Sequence, residues 1–160
     1  MTYYLSRFIL PAAYDILPAK MDTIEASAML LTIALQESKA LHRKQVKGPA
    51  RGFWQFEQAG IKGVQNHKSS KAVLRTSLVQ LCYPADLSAV AAHAAIEHND
   101  ILACIFARLL LWTEPQELPT RDLPWKGWDQ YIVTWRPGKP HLETWLTNWD
   151  RAWALANKWL

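Results

Sequence analysis

The chain has 160 residues and a mass of 18.3 kDa, half apolar and a fifth charged, which suits one domain over 1–160 that buries roughly 70% of its unfolded surface. That composition excludes a disordered tail, a collagen-like repeat and a coiled coil, and two cysteines, Cys82 and Cys104, are too few for a disulfide-dense scaffold, whether they pair or stay buried thiols. The net charge of +4 is uneven: residues 39–75 hold nine Lys/Arg against Glu57 alone, which suits a polyanionic partner (nucleic acid, anionic lipid or bacterial wall) or a solvated basic loop.

The first twenty residues carry a single Arg before a short apolar run broken by Pro11. They show neither a full apolar segment nor a cleavage site, so no signal peptide is expected and the product stays in a cytoplasm unless another route exports it. Pro11 suits the first turn of a helix reaching Leu17. Asp22, with Glu25 three residues later, resembles a capping box, and the Ala/Leu/Met-rich run that follows predicts a helix over 24–41. Gly48, Pro49 and Gly52 make 42–52 a loop. Residues 53–56 are extended or a turn, and 57–66 form a short helix interrupted by Gly60 and Gly63. Helices are predicted over 69–81, over 85–98 after Pro84, and over 101–112. The last is the most apolar window, but about 12 residues are too few to span a bilayer, which takes about 20; it reads as a buried helix. Pro115, Pro119 and Pro124 mark 114–127 as loop. Helices are then expected over 128–135, ending before Pro137-Gly138, and over 142–159. No run alternates with period two, so the fold class is mainly α with at most a small β-hairpin within 42–56.

Glu37 shares a helix face with Met29, Leu30, Ile33 and Ala34. It projects from the end of an apolar stripe, where desolvation and the negative end of the helix dipole both favour the protonated carboxyl. A general acid needs that property. A solvated helix end is the alternative, since Gln36, Ser38 and Lys39 are polar. After the basic loop comes Ala50-Arg51-Gly52-Phe53-Trp54-Gln55-Phe56. There Gly52 permits backbone shapes closed to other residues, and an amide between aromatic rings suits a sugar or an aromatic mini-core.

Glu37-Ser38, a loop, then Gly52-Phe53-Trp54-Gln55-Phe56 resembles the lytic transglycosylase pattern of the lysozyme-like superfamily, over about residues 29–59. The resemblance implies a mostly α lysozyme-like domain whose catalytic acid lies in a deep cleft that binds the glycan strand of peptidoglycan. It makes Glu37 the catalytic acid/base, places Ser38 in the catalytic-helix signature, and sets Gly52, Trp54 and Gln55 along the cleft. The family's late Ala-Tyr-Asn-Ala-Gly run has only its Gly here, Gly138. Aligning on Gly138 puts Trp135 in the tyrosine position, with Tyr131 four residues earlier on the same face able to supply the hydroxyl. Without a signal peptide the chain resembles a phage endolysin or a virion-associated wall-piercing protein.

Hydrolysis rather than transglycosylation normally uses a second carboxylate, for which Glu57 and Asp86 are the candidates. His93, Glu97 and His98 match no metal-ligand spacing, no phosphate-binding glycine loop is present, and no cofactor is expected. Trp145, Trp149 and Trp153 repeat every four residues and read as a core face. A non-catalytic basic domain binding nucleic acid, and a lysozyme-like fold used only for structure, are the competing classes; the partner expected here is the glycan strand.

Overall fold

The Asp100–Thr113 helix is the axis of the protein, with ten of its fourteen residues buried. A computed structural model describes residues 1–156; the predicted end of the last helix at Trp159 lies outside them. The architecture is mainly α. In chain order the described helices are α1 (residues 2–16), α2 (Ile24–Ser38), α3 (Gln58–Asn66), α4 (Lys71–Gln80), α5 (Ala89–Ala95), α6 (Asp100–Thr113), α7 (Pro124–Trp135) and α8 (Leu142–Ala156). In place of a hairpin, residues 43–56 form a double turn held by isolated bridges, Lys44 to Arg51 and Arg51 to Phe56. No described helix is long and apolar enough to cross a membrane.

Several boundaries differ from the sequence reading for local reasons. α1 starts at Thr2 and runs through Pro11, with a π-helical turn over Leu5–Ile9 just before it. Pro11 offers no N–H, and the widened turn accommodates the missing bond. The cap of α2 is Thr23, whose hydroxyl accepts from Ala26 N at 3.1 Å. Asp22 instead ends a 3-10 turn, Ala19–Met21. α2 stops at Ser38 because Lys39 and Ala40 both adopt left-handed backbone (φ 56° and 51°). The two glycines leave α3 unbroken: Gly63 faces open space, and Gly60 lets the Phe56 ring approach. α5 is shorter than predicted, since Ser88 caps it and Asn99 already caps α6. α7 begins at Pro124, a residue suited to a first helical turn. The cysteines are free, and only Cys104 is buried; Cys82 is exposed.

The tryptophan-rich C-terminal part builds an aromatic spine. Trp145, Trp149 and Trp153 are buried along one face of α8, with successive ring centroids 5.9 and 5.7 Å apart. Tyr131 of α7 stacks on Trp145 at 5.3 Å and 18°. The indole N–H groups of Trp145 and Trp149 donate to Pro124 O (2.8 Å) and Arg121 O (2.9 Å), which ties the proline-rich loop to α8. A second tie joins distant parts of the chain. Buried Asp100 accepts from Arg43 Nε and Nη2 (2.8 and 2.7 Å) and from the Tyr4 hydroxyl (3.2 Å), linking α1, the double turn and α6.

Gly127 is where α7 meets the spine: a Cβ there would lie 2.6 Å from Cζ3 of Trp149. Gly127→Ala is expected to destabilise the protein by about 1–3 kcal/mol through overpacking, despite the higher helix propensity of Ala. Urea unfolding checks this; a stabilised variant would mean the two helices are not in contact at this point.

Candidate active site

The site is assembled at the C-terminal end of α2. A tight reversal follows Ser38: Lys39 N donates to Leu35 O (3.0 Å) and Ala40 N to Ala34 O (2.9 Å), the bonding of a left-handed helix stop. Two consecutive non-glycine residues in that conformation store about 1–2 kcal/mol each. The reversal leaves Glu37 on the last turn, partly buried.

The 52–56 segment is locked onto α2 by hydrogen bonds between distant residues. Ser38 Oγ donates to Phe53 O at 2.7 Å, and Trp54 Nε1 donates to Leu30 O at 2.9 Å. Gly52 takes φ +73°, and a Cβ there would meet Ile96 O and Ala103 Cβ, each at 3.2 Å; only glycine satisfies both demands. Gln55, also left-handed (φ 51°), folds its amide back onto Gly52 O at 2.8 Å. Trp135 Nε1 donates to Trp54 O at 2.9 Å, and its ring meets Phe56 edge-on at 5.9 Å. α7 therefore closes over the same segment.

These contacts revise the expected roles. Trp54 is fully buried, so it presents no face to a sugar; its indole belongs to the core and its N–H is already used. Gly52 is buried as well and acts through its backbone shape. Ser38 is a positioning residue, since its hydroxyl is occupied by Phe53 O. Gln55 and Trp135 remain half-exposed beside the site.

Tyr131 is the residue brought to Glu37. Its hydroxyl donates to Glu37 Oε1 at 2.6 Å across 94 positions of sequence, while its ring is held by Trp145. Burial pushes the Glu37 carboxyl above its ordinary range. The Tyr131 hydrogen bond and the charge of His141 pull the other way without cancelling the rise. Burial, reinforced by the neighbouring Glu37 charge, pushes the Tyr131 hydroxyl up, so it stays a donor. The resulting group is one carboxyl, predisposed to carry a proton, with one oxygen held by a neutral phenol.

Sequence reasoning missed the latch beside it. Gln36 Nε2 donates to His141 O at 2.6 Å, while Gln36 Oε1 accepts from Thr144 Oγ1 (3.1 Å) and Asn148 Nδ2 (2.8 Å). Thr144 and Asn148 sit one turn apart on α8, a spacing visible in the sequence, but nothing local names Gln36 as their partner. The two carboxylates considered as second catalytic groups, Glu57 and Asp86, are both exposed; the groups acting on Glu37 are Tyr131 and His141. Buried His93 bonds to Phe56 O at 2.9 Å and Glu97 pairs with Arg51. Among the described residues no three His, Cys, Asp or Glu are grouped to hold a metal ion.

Removing either opposing influence raises the Glu37 midpoint further. Tyr131→Phe and His141→Gln are both expected to move it to higher pH, read by carboxyl-carbon NMR titration; a downward move would mean Glu37 is not placed as described. Because the folded state binds this proton more tightly than the unfolded chain, stability falls as pH rises from about 4.3 through the folded midpoint. Glu37→Gln removes that loss, so its unfolding free energy relative to wild type should increase across this interval and stay level above it.

The chain matches no protein-family model, no curated protein and no solved structure, so the chemistry of the site rests on its own residues.

Proposed function

We propose that this protein cleaves the β-1,4 glycan strand of bacterial peptidoglycan, with Glu37 as the acid/base of a lytic transglycosylase-type reaction. The observation that carries the reading is the Glu37–Tyr131 pair: a partly buried carboxyl with raised proton affinity, one oxygen held at 2.6 Å by a phenol. Glycosidic cleavage needs a protonated carboxyl at near-neutral pH. The resemblance of Glu37-Ser38 and Gly52-Phe53-Trp54-Gln55-Phe56 to the transglycosylase pattern supports the same assignment, and the Ser38–Phe53 bond joins the two halves of that pattern.

In this mechanism Glu37 gives its proton to the glycosidic oxygen as the C1–O4 bond breaks. The carboxylate then takes the proton of the sugar's own 6-hydroxyl as that oxygen closes onto C1. One carboxyl therefore completes the cycle and regenerates its acid form. A hydrolase would need a second carboxylate about 5 Å away if retaining, or about 6.5–9.5 Å if inverting. Glu57 and Asp86 both lie exposed in solvent, and the single-acid route calls on neither.

The basic segment contributes wall attraction rather than chemistry. Arg43 and Arg51 are committed to Asp100 and Glu97. Lys39, Lys44, Lys47, Lys62, Lys68, Lys71 and Arg75 remain exposed.

Glu37→Gln is expected to abolish wall lysis in zymography while leaving the fold intact; lysis at the wild-type rate would remove Glu37 from the mechanism. Mass spectrometry of digested peptidoglycan should show muramoyl ends closed as 1,6-anhydro rings, and products heavier by one water would refute the transglycosylase route. Lysis of whole walls should weaken with salt as the Debye length shrinks to about 3 Å at 1 M. Activity independent of ionic strength would show that the exposed lysines play no part in wall attraction.

A further inference from the structure

Beside Tyr131, one flank of α7 carries a line of apolar side chains that grades from core to solvent. Taking 3.6 residues per turn, Trp135 and Trp128 lie about 40° and 60° around the helix from Tyr131, in the same direction. Ile132 and Trp125 lie further round, at about 100° and 120°. The spacings 125, 128, 132 and 135 make each a neighbour of the next. Exposure rises along this sequence: Tyr131 is buried, Trp135, Trp128 and Ile132 are half-buried, and Trp125 is 50% exposed.

The two ends of the flank differ. At the Trp135 end it is closed by the Trp54 carbonyl and the Phe56 ring. Trp128 is braced from below, 5.5 Å from Tyr131 and 5.3 Å from Trp145. At the Trp125 end the indole stands half in water, with Lys126 and Asp129 as polar neighbours on the same helix. An exposed indole one helical turn from a rigid aromatic pair, whose Tyr131 hydroxyl reaches the Glu37 carboxyl, combines an apolar platform with hydrogen-bonding groups at its rim. That mixture fits a pyranose, whose C–H face stacks on a ring while its hydroxyls point sideways.

We infer that Trp125 and Trp128 form a sugar-stacking strip leading away from Glu37, with Trp128 as its inner platform and Trp125 as its outer one. The occupant is a β-1,4-linked chain of N-acetylated amino sugars. This inference rests on the glycan-cleaving reading for the identity of the ligand. The strip itself makes a claim about binding, which is measured separately from cleavage.

The probe is the N-acetylglucosamine tetramer, with affinity read by calorimetry and indole fluorescence on the full chain. Trp125→Ala should leave unfolding unchanged, since the side chain is half in solvent, and should weaken binding by about 3- to 10-fold, the range of one aromatic contact. Trp128→Leu keeps apolar bulk but loses the flat face and should weaken binding similarly, whereas Trp128→Phe should restore most of it. Phe8→Ala, which removes an aromatic side chain 62% exposed on α1, should have no effect. Undiminished affinity in Trp125→Ala, equal weakening in Phe8→Ala, or no binding by the wild type would each overturn the strip. A wild type that binds the tetramer through these tryptophans yet releases no product from peptidoglycan would refute the cleavage reading and leave the strip standing. One that cleaves walls with the same KM after Trp125→Ala would do the reverse.

Discussion

A carboxyl moved out of water must lose its charge or find a donor, and the arrangement around Glu37 follows from that constraint. Its oxygen is met by the Tyr131 hydroxyl, and the phenol can be there only because its ring is stacked on Trp145. Trp145 is in turn fixed by the Pro124 carbonyl and by Trp149, which itself packs against α7 at Gly127. The tryptophan-rich C-terminal part is thus a scaffold that delivers one hydroxyl to one carboxylate. Its rings are large, flat and stiff, with two side-chain torsions each, so they place that hydroxyl with little loss of conformational entropy.

The opposite wall of the site is built by a different device. Trp54 anchors the 52–56 segment to the middle of α2, Ser38 anchors it to the end, and the left-handed turns at Lys39, Ala40, Gly52 and Gln55 bend the chain between. Backbone strain gathered in one place is tolerated when surrounding contacts over-determine it. Here a buried indole, a buried hydroxyl and the closely packed Ile96 carbonyl do so. Gln36 closes the remaining side by gripping the start of α8 with both ends of its amide. The residues on either side of Glu37 therefore hold two different parts of the chain, while Glu37 faces the junction between them.

Charge is partitioned in the same way. The two arginines of the basic segment that lie nearest the core are neutralised by Asp100 and Glu97. Asp100 also receives Tyr4, so this ion pair knits α1 to the double turn and to α6. Leaving Asp100 buried without its arginine would be costly, which assigns Arg43 to folding rather than to a ligand. The lysines, which carry no such obligation, stay at the surface.

Much of this was legible in the sequence where the governing interactions are local. The apolar spacing before Glu37, the four-residue repeat of Trp145, Trp149 and Trp153, and the absence of period-two alternation specify helices and their buried faces, because side chains three and four apart share a face whatever lies across from them. The raised proton affinity of Glu37 followed from its place at the end of an apolar stripe. Tertiary structure alone decided which partners meet. Trp54 has the composition of a sugar platform, yet it is core because Leu30 O lies within reach of its N–H; Trp125 looked like a loop residue and stands exposed because Pro124 starts a helix one turn early. Tyr131 was a candidate by spacing, but its meeting with Glu37 across 94 positions depends on helix packing. Short-range periodicity is written in neighbouring residues, whereas a hydrogen bond between distant ones depends on how whole helices pack, and no single segment carries that information.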